Sequence, residues 1–185
     1  MARRGSPGDK TVSRGASFSN GGEAGSPWRY SLWRVWDRSK PLLVMVMLNP
    51  STANETANDP TVERCERRAR ADGRFGGLVV ANIFAFRATR PKDMKATLDA
   101  IGPENDKHLH GLFNGTVLRK LSDSNIPHVF CAAWGAHGAH LDRGRQVRQM
   151  ATSLGVRLHC LGVTKKGQPR HPLYLRYEEP IIELA

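Results

Sequence analysis

Cysteine is scarce in this sequence, and its three residues form no recognisable pattern. Their number is odd, and no Cys-x-x-Cys pair occurs. Cys131 and Cys160 lie within apolar stretches typical of strands, where a free thiol behaves as a small buried hydrophobic group. His137 and His140 have no carboxylate or thiolate partner at helical spacing. The sequence therefore predicts no disulfide framework, no metal site and no cofactor.

Long apolar runs are also missing. No stretch approaches the roughly 18 consecutive apolar residues that a membrane-spanning helix requires. The basic pair Arg3 and Arg4 is not followed by the apolar segment of a secretory leader. We therefore expect a cytoplasmic protein that makes no membrane contact. The chain of 185 residues is long enough for one domain with a substantial core, and we expect a monomer.

Acidic residues are few relative to basic ones. The chain has 28 Lys and Arg residues against 17 Asp and Glu residues, which gives a formal net charge of +11. Such an excess favours polyanionic partners, and nucleic acid first among them. Ribosome-associated proteins and membrane-surface proteins share this property, so the charge alone does not identify the partner.

Large apolar residues are nearly absent from residues 1–27, which are rich in Gly, Ser and Arg. Such a segment cannot bury enough apolar surface to offset the entropy that it would lose on ordering. It is therefore predicted to be a flexible basic tail. Residues 28–185 are predicted to form a single α/β domain, for the reasons that follow.

The most apolar stretch covers residues 42–48 and is followed by Asn49, Pro50, Ser51 and Thr52. An unbroken apolar run of this length predicts a strand that is buried on both faces. Pro50 ends it, because a proline cannot donate a hydrogen bond to the sheet. Ligands of open α/β sheets bind beyond the carboxyl ends of strands, so the polar residues here are candidate site residues. The alternative is a turn followed by a helix cap.

Strand-like and helix-like stretches alternate in the rest of the domain. Strands are predicted over about residues 28–36, 77–86, 128–134 and 156–163, and helices over about residues 60–71, 102–122 and 142–154. The first strand alternates apolar and polar residues, as an edge strand does, and Asp59 is predicted to cap the helix that begins at Pro60. The alternation predicts a three-layer α/β/α domain whose mostly parallel sheet has about four core strands plus an edge strand. Because parallel strands end at one edge, Asn49, His137 and His171 are expected to meet there.

Four motifs, in this order, resemble those of the uracil-DNA glycosylase superfamily. Residues 48–50, Leu-Asn-Pro, are similar to its first catalytic motif, and residues 82–88 resemble the strand whose Asn reads a flipped pyrimidine. Residues 129–135 resemble its apolar strand ending in Trp-Gly, and residues 171–173, His-Pro-Leu, resemble its motif of a catalytic His and a minor-groove wedge. The resemblance covers about residues 42–175. Leu-Asn-Pro-Ser-Thr and His-Pro-Leu-Tyr also resemble motifs of small bacterial and phage proteins with no assigned function.

The resemblance implies a glycosylase-like fold and cleavage of the N-glycosidic bond of a flipped uracil or modified pyrimidine. Asn49 would hold a water beneath C1′, and His171 would donate a hydrogen bond to the departing base. The amide of Asn82 can both donate to and accept from a pyrimidine edge, and Phe84 would join it, together with Ser51 and Thr52. In the alternative reading, Asn82 is a satisfied core amide and His171 a surface residue before a turn proline.

The implied partner is DNA, single- or double-stranded. Basic residues would contact its phosphates, and the wedge motif would enter the groove. These DNA-contacting candidates are Arg87, Arg90, Arg143, Lys165, Lys166, Arg170, Leu173 and Tyr174. Two other functions remain open: a non-catalytic nucleic-acid-binding module on the same fold, and an enzyme that acts on free nucleosides or nucleotides.

Overall fold

A computed structural model describes residues 13–19 and 25–185 of the chain. Its strands are β1 (Ser13–Phe18), β2 (Arg29–Val35), β3 (Leu42–Met47), β4 (Gly77–Asn82), β5 (Val129–Ala132), β6 (Leu158–Cys160) and β7 (Ile182–Glu183). Its α-helices are α1 (Pro60–Asp72), α2 (Pro91–Ala96), α3 (Asn105–Phe113) and α4 (Arg143–Ser153). Short 3-10 segments cover Leu118–Lys120, Ala136–Asp142 and Pro172–Tyr174. None of the described helices is both long enough and apolar enough to cross a membrane.

The strands form one mixed sheet in the order β1-β2-β4-β3-β5-β6-β7. Its centre is parallel, because β3 pairs in parallel with β4 and β5, and β5 pairs in parallel with β6. All six residues of β3 are buried, as an unbroken apolar run predicts. The predicted α/β class and the buried central strand are confirmed, whereas the sheet as a whole is mixed rather than mostly parallel.

Alternate residues of β3 serve two apolar clusters, because successive side chains of a strand point to opposite faces. Val44 and Val46 belong to a cluster that includes residues of α3 and α4. Leu43 and Met45 belong to a second cluster that includes residues of α1. All three cysteines are free and buried, and Cys65 and Cys131 lie in the second cluster.

The edges of the sheet differ from the sequence prediction. Residues 13–18, inside the predicted flexible tail, form β1 and pair antiparallel with β2. The tail prediction is therefore wrong for these residues, while residues 1–12 and 20–24 lie outside the described part of the chain. As a result, β2 is not the edge strand that was predicted, and it lies between β1 and β4. At the other edge, β7 pairs antiparallel with β6.

A close approach of β1 to Trp33 explains why the sequence pattern missed this strand. Gly15 is buried, and a Cβ atom there would lie 2.1 Å from Cζ2 of Trp33. The position therefore needs the one residue without a side chain, although glycine is depleted in strands. The strand forms because the edge of β2 offers backbone partners, and not because β1 carries an apolar pattern.

The boundaries of the helices follow local signals. Asp59 caps α1 by accepting hydrogen bonds from the backbone N–H groups of Thr61 and Val62, at 3.0 and 2.9 Å. This cap was predicted from the Asp-Pro pair and is confirmed. The predicted helix over residues 102–122 is interrupted, because α3 ends at Phe113 and Gly115 has a positive φ of 78°. α2 was not predicted.

Two buried arginines of β2 hold the segment between β3 and α1. Arg34 donates hydrogen bonds to two backbone carbonyls and one side-chain amide oxygen of residues 53–58, here called the 53–58 loop. Arg29 donates to the carbonyl oxygen of Ala53 in the same loop. The 53–58 loop has no helix or strand, so these bonds satisfy backbone groups that regular structure would otherwise satisfy.

Removing β1 should destabilise the protein. We expect deletion of residues 1–19 to lower the free energy of unfolding by about 2 kcal/mol relative to deletion of residues 1–12, because β2 loses its outer partner. At this chain length, that corresponds to roughly 4–8 °C in melting temperature. Thermal unfolding of the two truncated proteins measures the difference, and equal melting temperatures would show that β1 does not stabilise the sheet.

Candidate functional site

A cavity of about 560 Å³ lies at the carboxyl ends of two central strands. Part of its lining follows β3 directly, from Leu48 to Thr52, and part follows β5, from Trp134 to His137. The beginning of α1 and the segment after His171 complete it. This is the edge at which ligands of open α/β sheets bind. The structure therefore brings together Asn49, His137 and His171, as the sequence predicts.

The side chain of Asn49 is held in one orientation by the backbone. Its Nδ2 donates to the carbonyl oxygens of Pro50 and Ala88, at 2.9 and 2.7 Å. Both amide protons are thereby used. The Oδ1 oxygen receives no hydrogen bond from any described residue, so it can accept one from a ligand or a water in the cavity.

The contacts of His171 favour a neutral ring that donates a hydrogen bond through Nε2. Its Nδ1 accepts a hydrogen bond from the backbone N–H of Leu173 at 3.3 Å. In a neutral imidazole the proton must then be on Nε2, which becomes the donor. Burial lowers the pKa of His171, and the negative charge of Asp59 opposes this in part. The ring is therefore uncharged at neutral pH.

One carboxylate oxygen of Asp59 takes no part in the helix cap. Its Oδ1 accepts both helix-capping hydrogen bonds. Its other oxygen, Oδ2, receives none from the part of the chain that the structure describes, although the residue lines the cavity and is 8% exposed. Sequence reasoning identified Asp59 only as a helix cap. In the structure, the carboxylate of Asp59 caps α1 and also lines the cavity.

Arg29 lines the same cavity, and sequence reasoning missed it entirely. It lies at the start of β2, where the sequence shows only an alternating pattern, so no local signal could have found it. Burial lowers the pKa of Arg29 to about 10, while Asp59 raises it. The guanidinium is therefore still charged at neutral pH.

The Trp-Gly pair after β5 brings the last wall of the cavity into place. Nε1 of Trp134 donates to Oε1 of Gln168 at 2.9 Å, and the N–H of Gly135 donates to the carbonyl of Pro169 at 2.8 Å. Gly135 has φ 68° and ψ −172°, a conformation open essentially to glycine alone. A Cβ atom there would lie 3.5 Å from Cβ of His171, which is an ordinary van der Waals contact, so the backbone conformation and not the space is what requires glycine.

α1 holds the chain that follows His171. Arg64 donates to the carbonyl oxygen of Leu175. Arg68, one turn further along, donates to three carbonyl oxygens between residues 176 and 179. These two arginines thus fix the segment that follows the cavity.

Three predicted site residues are buried in the core and do not line the cavity. Asn82 and Phe84 are fully buried and do not line it, so neither contacts a ligand there. Phe84 packs against the ring of His140. Arg143 is only 2% exposed and donates to the carbonyl of Ile83 and to Asp106, so it is not available to a phosphate. Its predicted DNA contact is wrong because the start of α4 faces the core.

The remaining predicted residues lie around the cavity or on the surface. Ser51, Thr52, Leu173 and Tyr174 line it, and Tyr174 is 88% exposed. Lys165, Lys166 and Arg170 are exposed. Arg90 pairs with Asp93 at 2.7 Å, and Arg87 donates to the carbonyl of Ser26 at 3.5 Å. No group of three or more metal-binding side chains occurs among the described residues.

Fold and site together define an α/β protein with a mixed sheet and, at the carboxyl ends of its parallel strands, a mainly apolar cavity that contains a few polar side chains. The chain belongs to the family described as "Protein of unknown function (DUF1643)", which matches residues 29–173. This range includes Asn49, Asp59 and His171, and it begins at Arg29. No curated protein and no solved structure matched the chain.

The tautomer and pKa of His171 can be measured directly. We expect a titration midpoint below 6.5, the ordinary value, and a proton on Nε2 in the neutral form. Because the unfolded chain binds this proton more tightly, His171 stabilises the fold above pH 6.5, and this stability is lost as the pH falls through its folded pKa. Nitrogen-15 NMR of the histidine rings tests this, with the missing signal of His171→Gln as the assignment. A midpoint above the ordinary value would contradict it.

Proposed function

We propose that this protein hydrolyses the N-glycosidic bond of a flipped uracil or modified pyrimidine in DNA, in the manner of uracil-DNA glycosylases. The observation that best supports this function is the shared cavity of Asn49 and His171, which lie far apart in the sequence. Asn49 supplies a fixed acceptor oxygen, and His171 supplies a neutral donor. Hydrolysis of this bond needs one group of each kind on opposite sides of the bond.

We assign the orientation of the attacking water to Asn49 and the removal of its proton to Asp59. Cleavage develops positive charge on the sugar, and the water beneath C1′ must be oriented and must lose a proton. Oδ1 of Asn49 accepts one hydrogen bond from that water, because its amide nitrogen is tied to the backbone. Oδ2 of Asp59 takes the proton, because the amide of Asn49 is too weak a base. The carboxylate also stabilises the developing positive charge.

The departing base is assigned to His171. Negative charge collects on a carbonyl oxygen of the pyrimidine as the bond breaks, and a donor at that oxygen lowers the barrier. The lowered pKa keeps His171 neutral, and its Nδ1 is already occupied by the N–H of Leu173. Nε2–H is therefore the donor that is left for the base.

The base itself is not read by Asn82 or Phe84, which lie in the core. Ser51 and Thr52 are the polar side chains of the lining that can contact it, and Trp134 supplies an aromatic wall. We also propose that the helices complete a three-layer α/β/α arrangement of the glycosylase kind. The clusters on the two faces of β3 support this arrangement.

We assign binding of the DNA strand to the surface beside His171. Lys165, Lys166 and Arg170 are exposed and form no ion pair within residues 13–19 and 25–185, so they can neutralise phosphates. Tyr174 is exposed at the edge of the cavity, where an aromatic ring can stack on a base. A DNA substrate is consistent with a cytoplasmic, monomeric protein without a cofactor.

An enzyme that acts on a free nucleotide is the second candidate. It is favoured by the state of the predicted phosphate-contacting arginines, because Arg90 is ion-paired and Arg143 is buried. Fewer unpaired basic side chains then remain to bind the phosphates of a DNA strand. The requirement for polymeric DNA separates this candidate from the first, and release of a base separates both from a binding module.

Removing Asn49 or His171 should affect catalysis far more than binding. We expect Asn49→Ala and His171→Ala each to slow single-turnover base release by about 100- to 1,000-fold. DNA affinity should change little, because phosphate contacts dominate it. The assay uses single- and double-stranded oligonucleotides with different modified pyrimidines, read by alkaline strand cleavage. His110→Ala, an exposed histidine on α3, is the control and should match the parent.

Two results would contradict this assignment. A variant that releases base at the parent rate would show that the replaced residue is not catalytic. A parent that releases no base from any member of the panel would contradict the enzymatic function and favour the binding module.

Substitution of Asp59 can separate its charge from its cap. Asn caps helices about as well as Asp, so Asp59→Asn should keep the melting temperature near that of the parent. The same substitution removes the carboxylate that is proposed to act as the general base. We expect at least about a 100-fold loss of base release, in the range of general base catalysis. Asp59→Ala removes the cap as well and should cost about 1 kcal/mol of stability. If Asp59→Asn retains the parent rate, Asp59 is only a cap.

A further inference from the structure

The guanidinium of Arg29 lies in the wall of the cavity with most of its donors unused. The residue is 1% exposed, and its side chain makes one hydrogen bond, from Nη1 to the carbonyl of Ala53. Nε is buried without a partner, and Nη2 has no partner in the described part of the chain. No carboxylate there lies within ion-pair distance. Buried charges in proteins are normally paired and hydrogen-bonded, because an unpaired one is costly.

Two other buried arginines, Arg34 and Arg143, do not share this state. Arg34 donates through all three of its guanidinium nitrogens. Arg143 likewise donates through Nε, Nη1 and Nη2. Arg68 also has a buried Nε without a partner, but both of its Nη atoms donate to carbonyl oxygens, and it does not line the cavity. Of these four arginines, Arg29 is the one that leaves two nitrogens unused and lines the cavity.

We propose that the cavity contains a subsite for a phosphate group and that Arg29 is its ligand. The planar guanidinium presents two parallel N–H groups, which match two oxygens of a phosphate. The N–H groups at the start of α1 do not contribute, because Asp59 already accepts from Thr61 and Val62. Together with the proposed function, on which this step rests, the subsite makes the substrate a nucleotide that carries a phosphate next to the cleaved nucleoside. A nucleoside without phosphate then binds poorly.

Asp59 limits how tightly this subsite holds an anion. It lines the same cavity, and its charge acts on Arg29. An anion beside Arg29 is attracted by the guanidinium and repelled by the carboxylate. Removing the negative charge by Asp59→Asn should therefore tighten phosphate binding, by about threefold or more. This effect is opposite in sign to the loss of base release expected for the same variant.

Calorimetric titration of the full chain at constant ionic strength tests the subsite. The probes are inorganic phosphate, deoxyuridine 5′-monophosphate and deoxyuridine. We expect the monophosphate to bind about 10- to 100-fold more tightly than the nucleoside, and Arg29→Met to abolish that difference. Arg119→Met is the matched control: it removes the positive charge of an exposed arginine outside the cavity, and it should keep the preference for the monophosphate.

Several outcomes would overturn the proposal. They are equal affinity of the parent for monophosphate and nucleoside, an unchanged preference in Arg29→Met, or an equal loss in Arg119→Met. If Arg29→Met does not fold, Asp59→Asn decides, because unchanged or weaker phosphate binding in that variant contradicts an anion beside Arg29. Phosphate binding without base release would reject the proposed hydrolysis and keep the subsite.

The source of the phosphate is resolved by competition. A short single-stranded oligonucleotide that displaces the monophosphate from the parent, and does so more weakly from Arg29→Met, places a DNA phosphate at the subsite. An oligonucleotide that does not displace it places a free nucleotide there. Either result supports the subsite, and the second supports the free-nucleotide enzyme over the DNA glycosylase.

Discussion

The candidate site depends on the hydrogen bonds that Arg29 and Arg34 make to the 53–58 loop. This segment has no backbone hydrogen-bond ladder of its own, and it leads directly into Asp59 and α1, so its position sets where Asp59 lies. α1 in turn holds the chain beyond His171 through Arg64. One strand thus fixes both halves of the cavity, and its contribution comes from two charged side chains rather than from apolar packing.

The cavity combines one carboxylate with groups that respond to it in different ways. Burial lowers the pKa values of both Arg29 and His171, and the charge of Asp59 opposes both changes. For the histidine, burial prevails and the ring is neutral. For the arginine, the ordinary pKa is so high that burial leaves it charged. Asp59 therefore acts as helix cap and as the source of the local field, which couples the start of α1 to the chemistry of the site.

Local sequence signals predicted those features that local physics determines. The buried β3, the cap at Asp59 and the meeting of Asn49 with His171 follow from apolar runs, a capping pair and the geometry of parallel strands. Features that depend on distant neighbours could not be predicted. β1 forms because the edge of β2 offers it backbone partners, and Arg143 is buried because its partners come from other elements. No sequence pattern indicated Arg29, because the feature that distinguishes it, its unused guanidinium donors in the cavity wall, depends on the folded structure.

The buried cysteines have a consequence for the environments in which this fold can exist. Burial raises the pKa of Cys65 to about 12 and raises that of Cys131 as well, so neither forms appreciable thiolate at neutral pH. Oxidants and thiol exchange act on the thiolate, and all three sulfur atoms are shielded from solvent. Oxidation of these cysteines therefore requires the chain to open around them first.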